Sequence, residues 1–234
     1  MRAGTLKYFL IGVVMALCGA LTCYACSPNV TEASHGPLIV KVDESQVYEA
    51  DEAVEGLASS EKTGEICLVT IANPVAKAST SLFPEVDKPQ LAEYADDSFN
   101  DFRQKQFGYT IGPEGALTSG FSYVLVSLDY RNDNDVSVSV GLNSNGFYLW
   151  SDDGNLTPCQ SSDPVWVSGR DGHLTKDFFI LHLGPGDSAK RTLLYVVSDE
   201  ALADPSLLYV ADEGISSSGT LEGMKAYRLS IQKG

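Results

Sequence analysis

Three histidines, five cysteines and 31 acidic side chains are the groups with which this 234-residue chain could do chemistry. His35, His173 and His182 are far apart in sequence, and no G-x-S-x-G nucleophile elbow accompanies them. A Ser–His–Asp relay would therefore depend on the fold gathering its members. His182 alternates with Phe178 and Ile180, which reads as a position on a strand. Asp129, Asp133 and Asp135, or Asp152, Asp153 and Asn155, offer oxygen ligands of the kind Ca²⁺ takes. Neither stretch matches D-x-[DN]-x-[DN]-G with its distal Glu, and turns require Asp, Asn and Gly anyway. Zinc would need grouped His and Cys, and a phosphate cradle would need G-x-x-x-x-G-K-[ST]; the sequence has neither. The expectation is a non-catalytic binding protein with no metal and no cofactor. An extracellular hydrolase with a loop-built site and a calcium-stabilised adhesion module stand as the alternatives.

The cysteines divide by position: Cys18, Cys23 and Cys26 near the N-terminus, Cys67 and Cys159 in the body. Arg2 and Lys7 precede the uncharged run 8–25 (YFLIGVVMALCGALTCYA), and no acidic residue occurs before Glu32. A basic start, an apolar run and small residues after it make a secretory signal, here residues 1–25. Cleavage after Ala25 leaves Cys26 first. Bacterial lipoprotein signals are cut just before a cysteine whose thiol carries a diacylglycerol, and this junction resembles them. Ala25 fits the small residue of that pattern, whereas Tyr24 and Cys23 depart from it. The resemblance implies lipidation at Cys26 and a cell-membrane lipoprotein outside the cytoplasm. Free secretion and an uncleaved N-terminal anchor stay open, because the run approaches the length that spans a bilayer. The C-x-x-C of Cys23 and Cys26 lies in the export segment, outside any folded redox setting.

Lipidation of Cys26 would leave Cys67 and Cys159 as an even pair in an oxidising compartment. A disulfide between them is the expectation; it would close a loop of about 90 residues, worth roughly 4 kcal/mol in the chain-entropy model. Two buried free thiols are the alternative. The net charge is −15, and loss of Arg2 and Lys7 with the signal takes it to −17. So acidic a surface repels phosphate backbones and anionic lipid, which argues against nucleic acid as a partner. The expected partners are an extracellular or envelope protein and, through the lipid anchor, the membrane.

The elements that must position these groups are mostly strands. Residues 26–37 (CSPNVTEASHGP) are small and breaker-rich, a tether. Residues 38–42 suggest a first strand, and the acidic stretch 43–64 reads as a loop or short helix. Residues 65–71 (EICLVTI) form a β-branched strand bounded by Gly64 and by Asn73 and Pro74. Residues 91–102 have roughly helical apolar spacing. Along 121–131 (FSYVLVSLDYR), Val124, Val126, Leu128 and Tyr130 share one face. The other face carries Phe121, Tyr123 and Leu125, then turns polar at Ser127, Asp129 and Arg131. Residues 136–140, 146–150, 174–183, 189–197, 207–210 and 225–232 read as further strands.

Short alternating strands separated by turn residues indicate an all-β, immunoglobulin-like antiparallel β-sandwich. Its core is placed at 107–234, with 38–106 adding N-terminal strands and an irregular or part-helical extension of the same domain. The antibody pins are missing: Trp150 precedes Cys159 by only nine residues, and Thr157 stands where a tyrosine corner would have Tyr. Most aromatics are expected in the core. Trp166, in a loop-rich stretch after Pro164, is the preferred exposed binding anchor, or else a plug for the sandwich end.

The strand at 123–130 leads to the Asn-rich turn 132–135, then to GFYLWSDDGN at 146–155. Leu183, Gly184, Pro185, Gly186, Asp187 and Ser188 then precede the strand 190–197. This order, over residues 107–212, resembles the telokin-like, immunoglobulin-like domain of many uncharacterised bacterial secreted proteins and lipoproteins. Asp187 stands where Glu is commoner. The resemblance implies an extracytoplasmic β-sandwich and supplies no catalytic residue.

Overall fold

The computed structural model describes residues 40–94, 97–159, 164–169, 179–212 and 224–233. The signal (1–25), the tether with His35, Cys26, His173 and the expected strand over 174–178 lie outside these residues. Among the described residues no helix is long and apolar enough to cross a membrane.

Four strands come first: β1 (Val40–Lys41), β2 (Val47–Glu49), β3 (Val54–Ser60) and β4 (Ile66–Ser79). Two helices follow, α1 (Lys88–Tyr94) and α2 (Asp97–Phe107). Then come β5 (Phe121–Arg131), β6 (Val138–Gly141), β7 (Gly146–Trp150), β8 (Asn155–Pro158), β9 (Trp166–Val167) and β10 (Ile180–Leu183). The chain continues through β11 (Ser188–Ser198), α3 (Asp199–Ala203), β12 (Leu207–Asp212), β13 (Lys225–Arg228) and β14 (Ile231–Lys233). A smaller sheet runs β1-β8-β7-β12-β13-β2. A larger one runs β10-β6-β3-β4-β5-β11-β9, with β14 parallel to the second half of β4.

The sheets are joined through residues that alternate along their strands. Val124, Val126, Leu128 and Tyr130 of β5 and Leu193, Tyr195 and Val197 of β11 meet Phe147, Tyr209 and Tyr227 of the smaller sheet in one apolar cluster. Tyrosine hydroxyls inside this core need partners, since an unpaired buried hydroxyl is costly. Asn145 Nδ2 donates to Tyr130 (3.0 Å) and Tyr209 (3.3 Å), and the Tyr195 and Tyr209 hydroxyls lie 3.2 Å apart. Tyr227 donates to the carbonyls of Glu52 and Ile71, each at 3.1 Å. Edge-to-face contacts of Phe147 with Tyr195 (5.5 Å) and Tyr209 (5.2 Å) complete the knot. A separate cluster of Val42, Tyr148, Leu156, Leu208, Val210, Met224 and Ala226 draws on the alternate positions of β7 and β12.

Several expectations change. The stretch 43–64 is a short helix only at its start, a 3-10 turn over Glu44–Gln46; the rest contains β2 and β3. The inward residues of β3 are Val54, Gly56, Ala58 and Ser60, too small to give a strand's apolar alternation. Smallness is required at Gly56, where a Cβ would stand 2.4 Å from Ile71 Cδ1. The strand begun at 65–71 does not stop at Pro74 but runs on to Ser79. The register shifts between Ala72 and Val75, and Asn73 takes φ 53°. The bulge lets proline sit in a central strand without breaking the ladder beyond it. The single strand expected at 225–232 is two, β13 in the smaller sheet and β14 in the larger.

The expected disulfide is not formed. Cys67 and Cys159 are both free thiols, Cys67 half-buried and Cys159 buried. Cys67 Sγ leans back on the Glu65 carbonyl at 3.8 Å. Burial pushes the Cys159 thiol up to about 12, so it stays protonated and a poor nucleophile for exchange.

Candidate functional site

The outer face of the larger sheet is where function-bearing chemistry collects, and strand register lays it out in rows. Across β5 and β11 the outward pairs are Tyr123 with Val196, Leu125 with Leu194, Ser127 with Thr192, Asp129 with Lys190 and Arg131 with Ser188. On β4, Lys77 faces Leu125 and Val75 faces Ser127, while Trp166 of β9 faces Leu194. Apolar rows thus give way to hydroxyl rows and then to charged rows within a few residues.

Over the apolar rows lies a cover built from residues 82–94 and 97–117. Val86, Leu91, Tyr109 and Ile111 pack on Tyr123, Leu125, Leu194 and Val196 in a second buried cluster. Asn100 of α2 clamps this cover by donating to the Ile111 carbonyl (2.8 Å) and accepting from the Ile111 amide (2.9 Å). Tyr123 donates to the Gly115 carbonyl at 3.0 Å, and Lys88 meets Glu114 at 2.7 Å. Trp166 belongs to this cluster and is only 6% exposed. The exposed anchor expected there is therefore a packed residue: the two-residue β9 pairs with β11, so the indole closes onto Leu194's row.

Beyond the cover the same face is bare. Ile66 and Leu68 of β4 are 57% and 45% exposed, and Ile180 of β10 is 43% exposed. Leu57 of β3 stands opposite Leu68, and Ile180 opposite Gly141. The neighbouring row runs Ile66, Ser59, Ser139 and His182 across four strands. An apolar band edged by polar groups therefore crosses β4, β3, β6 and β10, all on the side away from the core.

Along that edge the fold assembles Glu61, Ser139 and His182. His182 Nδ1 donates to Glu61 Oε1, and the same oxygen accepts from Ser139 Oγ at 3.1 Å. The His182 hydrogen bond, more than that of Ser139, holds the Glu61 carboxyl below the usual glutamate range. A hydrolytic relay places its serine on one imidazole nitrogen and its carboxylate on the other. Here Ser139 Oγ lies 3.1 Å from Nδ1, the nitrogen already given to Glu61. The trio is a hydrogen-bonded tie between β6, β10 and the turn that follows β3, on an exposed sheet.

The acidic turns are engaged within the chain. Asp133 accepts from Thr70 Oγ1 (3.1 Å) and Arg131 Nε (3.0 Å), and Asp129 accepts from Asn73 Nδ2 (2.9 Å). Asp153 accepts from Ser151 and Asn155. Among the described residues no group of three or more His, Cys, Asp or Glu gathers as a metal site.

Sequence reasoning missed Leu57, Ile66, Leu68, Ile180 and Glu61. One signal was present: in 65–71 the apolar residues run on without alternation, which puts Ile66 and Leu68 on the face opposite Val69 and Ile71. No family model, curated protein or solved structure matches the chain.

Proposed function

We propose that this is a non-catalytic, extracytoplasmic binding module that docks an extracellular or envelope protein on the bare half of its larger sheet. The observation that carries this reading is the band of exposed Ile66, Leu68 and Ile180, with half-buried Leu57 between them, on a regular sheet face. Adjacent solvent-exposed apolar residues with a polar margin are the usual makings of a protein interface. The export signal at 1–25 supports a location outside the cytoplasm, with Cys26 carrying the lipid that tethers the domain to the cell membrane. A two-sheet core supports an immunoglobulin-like fold of the telokin-like kind, pinned by tyrosines instead of a tryptophan and disulfide.

The test is capture by crosslinking in the native host with the chain carrying Ile66→Lys and Leu68→Lys together. These side chains are exposed, so the variant keeps its unfolding midpoint and loses the crosslinked partner seen with the unaltered chain. An unchanged crosslinking pattern overturns the docking face. Intact mass of the purified protein tests the anchor: a chain beginning at Cys26 plus a diacylglycerol is expected, and an unmodified chain contradicts it.

A further inference from the structure

A trough of about 380 Å³ lies where the cover ends, walled by Val75, Lys77, Glu85, Leu125, Ser127, Trp166, Ser168, Lys190 and Thr192. Its size falls at the lower end of small-molecule sites, roughly 300–1,000 Å³. Val75 and Leu125 give it an apolar floor, and Val75 is 45% exposed.

Apart from Glu85, the polar groups around that floor can donate. Trp166 is more than nine-tenths buried, and its indole N–H has no hydrogen-bond partner among the described residues. A buried donor left unpaired is destabilising, a loss that an incoming acceptor would recover. Ser168 Oγ accepts from the Thr192 amide at 2.8 Å, and its own proton has no acceptor among the described residues. Ser127 and Thr192 share one hydrogen bond of 2.8 Å between their hydroxyls, so one of the two protons is left over. Lys77 makes no ion pair among the described residues, and Lys190 is held only loosely, 3.7 Å from Asp129 Oδ1. Glu85 is the one carboxylate in the wall.

We propose that this trough binds a small organic monoanion, a carboxylate with an apolar body, its oxygens taking the donors of Trp166, Ser168, Lys77 and Lys190. Lys77 is the ammonium group without an ion pair among the described residues, while Lys190 is shared with Asp129; one such free charge suits a single negative charge, and Glu85 and Asp129 disfavour a dianion such as phosphate. The floor of Val75 and Leu125 requires an apolar body, which inorganic anions lack. The site is separate from the docking band of Ile66 and Leu68, so either can fail alone.

The test uses the ¹⁵N-labelled chain, whose two tryptophans give two indole N–H signals, with Trp150→Phe identifying that of Trp166. Phenylacetate, its uncharged amide and inorganic phosphate are the probes. Phenylacetate is expected to move the Trp166 signal at millimolar concentration and the amide to leave it in place. Lys77→Met and Lys190→Met should each weaken binding several-fold, and Lys77→Arg should restore it. Both variants change exposed side chains, and the unshifted remainder of the spectrum reports that they are folded. A Trp166 signal that phenylacetate does not move overturns the site. Equal shifts from phosphate, or binding indifferent to both lysines, overturn the ligand class.

Discussion

The two ends of β5 and β11 share a sheet, a register and a core face, yet their outer faces differ completely. At one end Tyr123, Leu125, Leu194 and Val196 are roofed by residues 82–94 and 97–117 and belong to a buried cluster. At the other, Asp129, Arg131, Ser188 and Lys190 meet solvent, and the neighbouring strands β4, β3 and β10 leave Ile66, Leu68 and Ile180 uncovered. Apolar side chains thus occur on both halves, but only one half has a roof. A roofed apolar residue contributes to folding in proportion to the area it removes from water; an unroofed one contributes little and stays available to a partner.

The largest effect should come from hollowing the roofed half. Leu194 is fully buried, so Leu194→Ala should cost about 2–5 kcal/mol in denaturant unfolding, while Leu68→Ala should stay within about 0.5 kcal/mol. Similar costs at both positions would erase the distinction. Next, Asn100→Ala removes both hydrogen bonds to Ile111 and should cost about 1–3 kcal/mol. Its signature is faster amide exchange in 82–94 and 97–117 with β3 and β6 unchanged; uniform loosening would mean that the roof is not a unit of its own.

A smaller, pH-dependent effect should mark the bare half. Glu61 titrates below its ordinary value because His182 donates to it, so the tie stabilises the fold above the unfolded glutamate value. The contribution fades as pH falls through the lowered folded value. The stability difference between the unaltered chain and Glu61→Gln should therefore be present at neutral pH and vanish in acid. Both groups are solvent-exposed, which keeps it the smallest of these effects. A difference that grows in acid would contradict the sign.

The boundary between the halves was written into the sequence. The outward positions of 121–131 turn from Tyr123 and Leu125 to Ser127, Asp129 and Arg131, and β11 repeats the change in reverse from Lys190 and Thr192 to Leu194 and Val196. Strands with bulky alternation could be read almost to the residue, as β5 and β7 were. β3 was hidden because its inward positions are filled by glycine, alanine and serine. The run through Pro74 was hidden because a bulge, not a break, accommodates the ring. Trp166 was misplaced because nothing local records that β9 joins the edge of β11. Glu61, Ser139 and His182 are separated by 78 and 121 residues along their contacts, and only the pairing of β6 with β3 and β10 unites them.

The most direct measurement is carbene footprinting of Ile66, Leu68 and Ile180, on the purified protein and on the protein in its native envelope, with Leu125 and Leu194 as internal controls. The bare residues should label strongly when the protein is pure and be protected in the envelope, with the roofed pair unlabelled in both states. Equal labelling of Ile66, Leu68 and Ile180 in the two states would contradict a docking role for that half of the sheet.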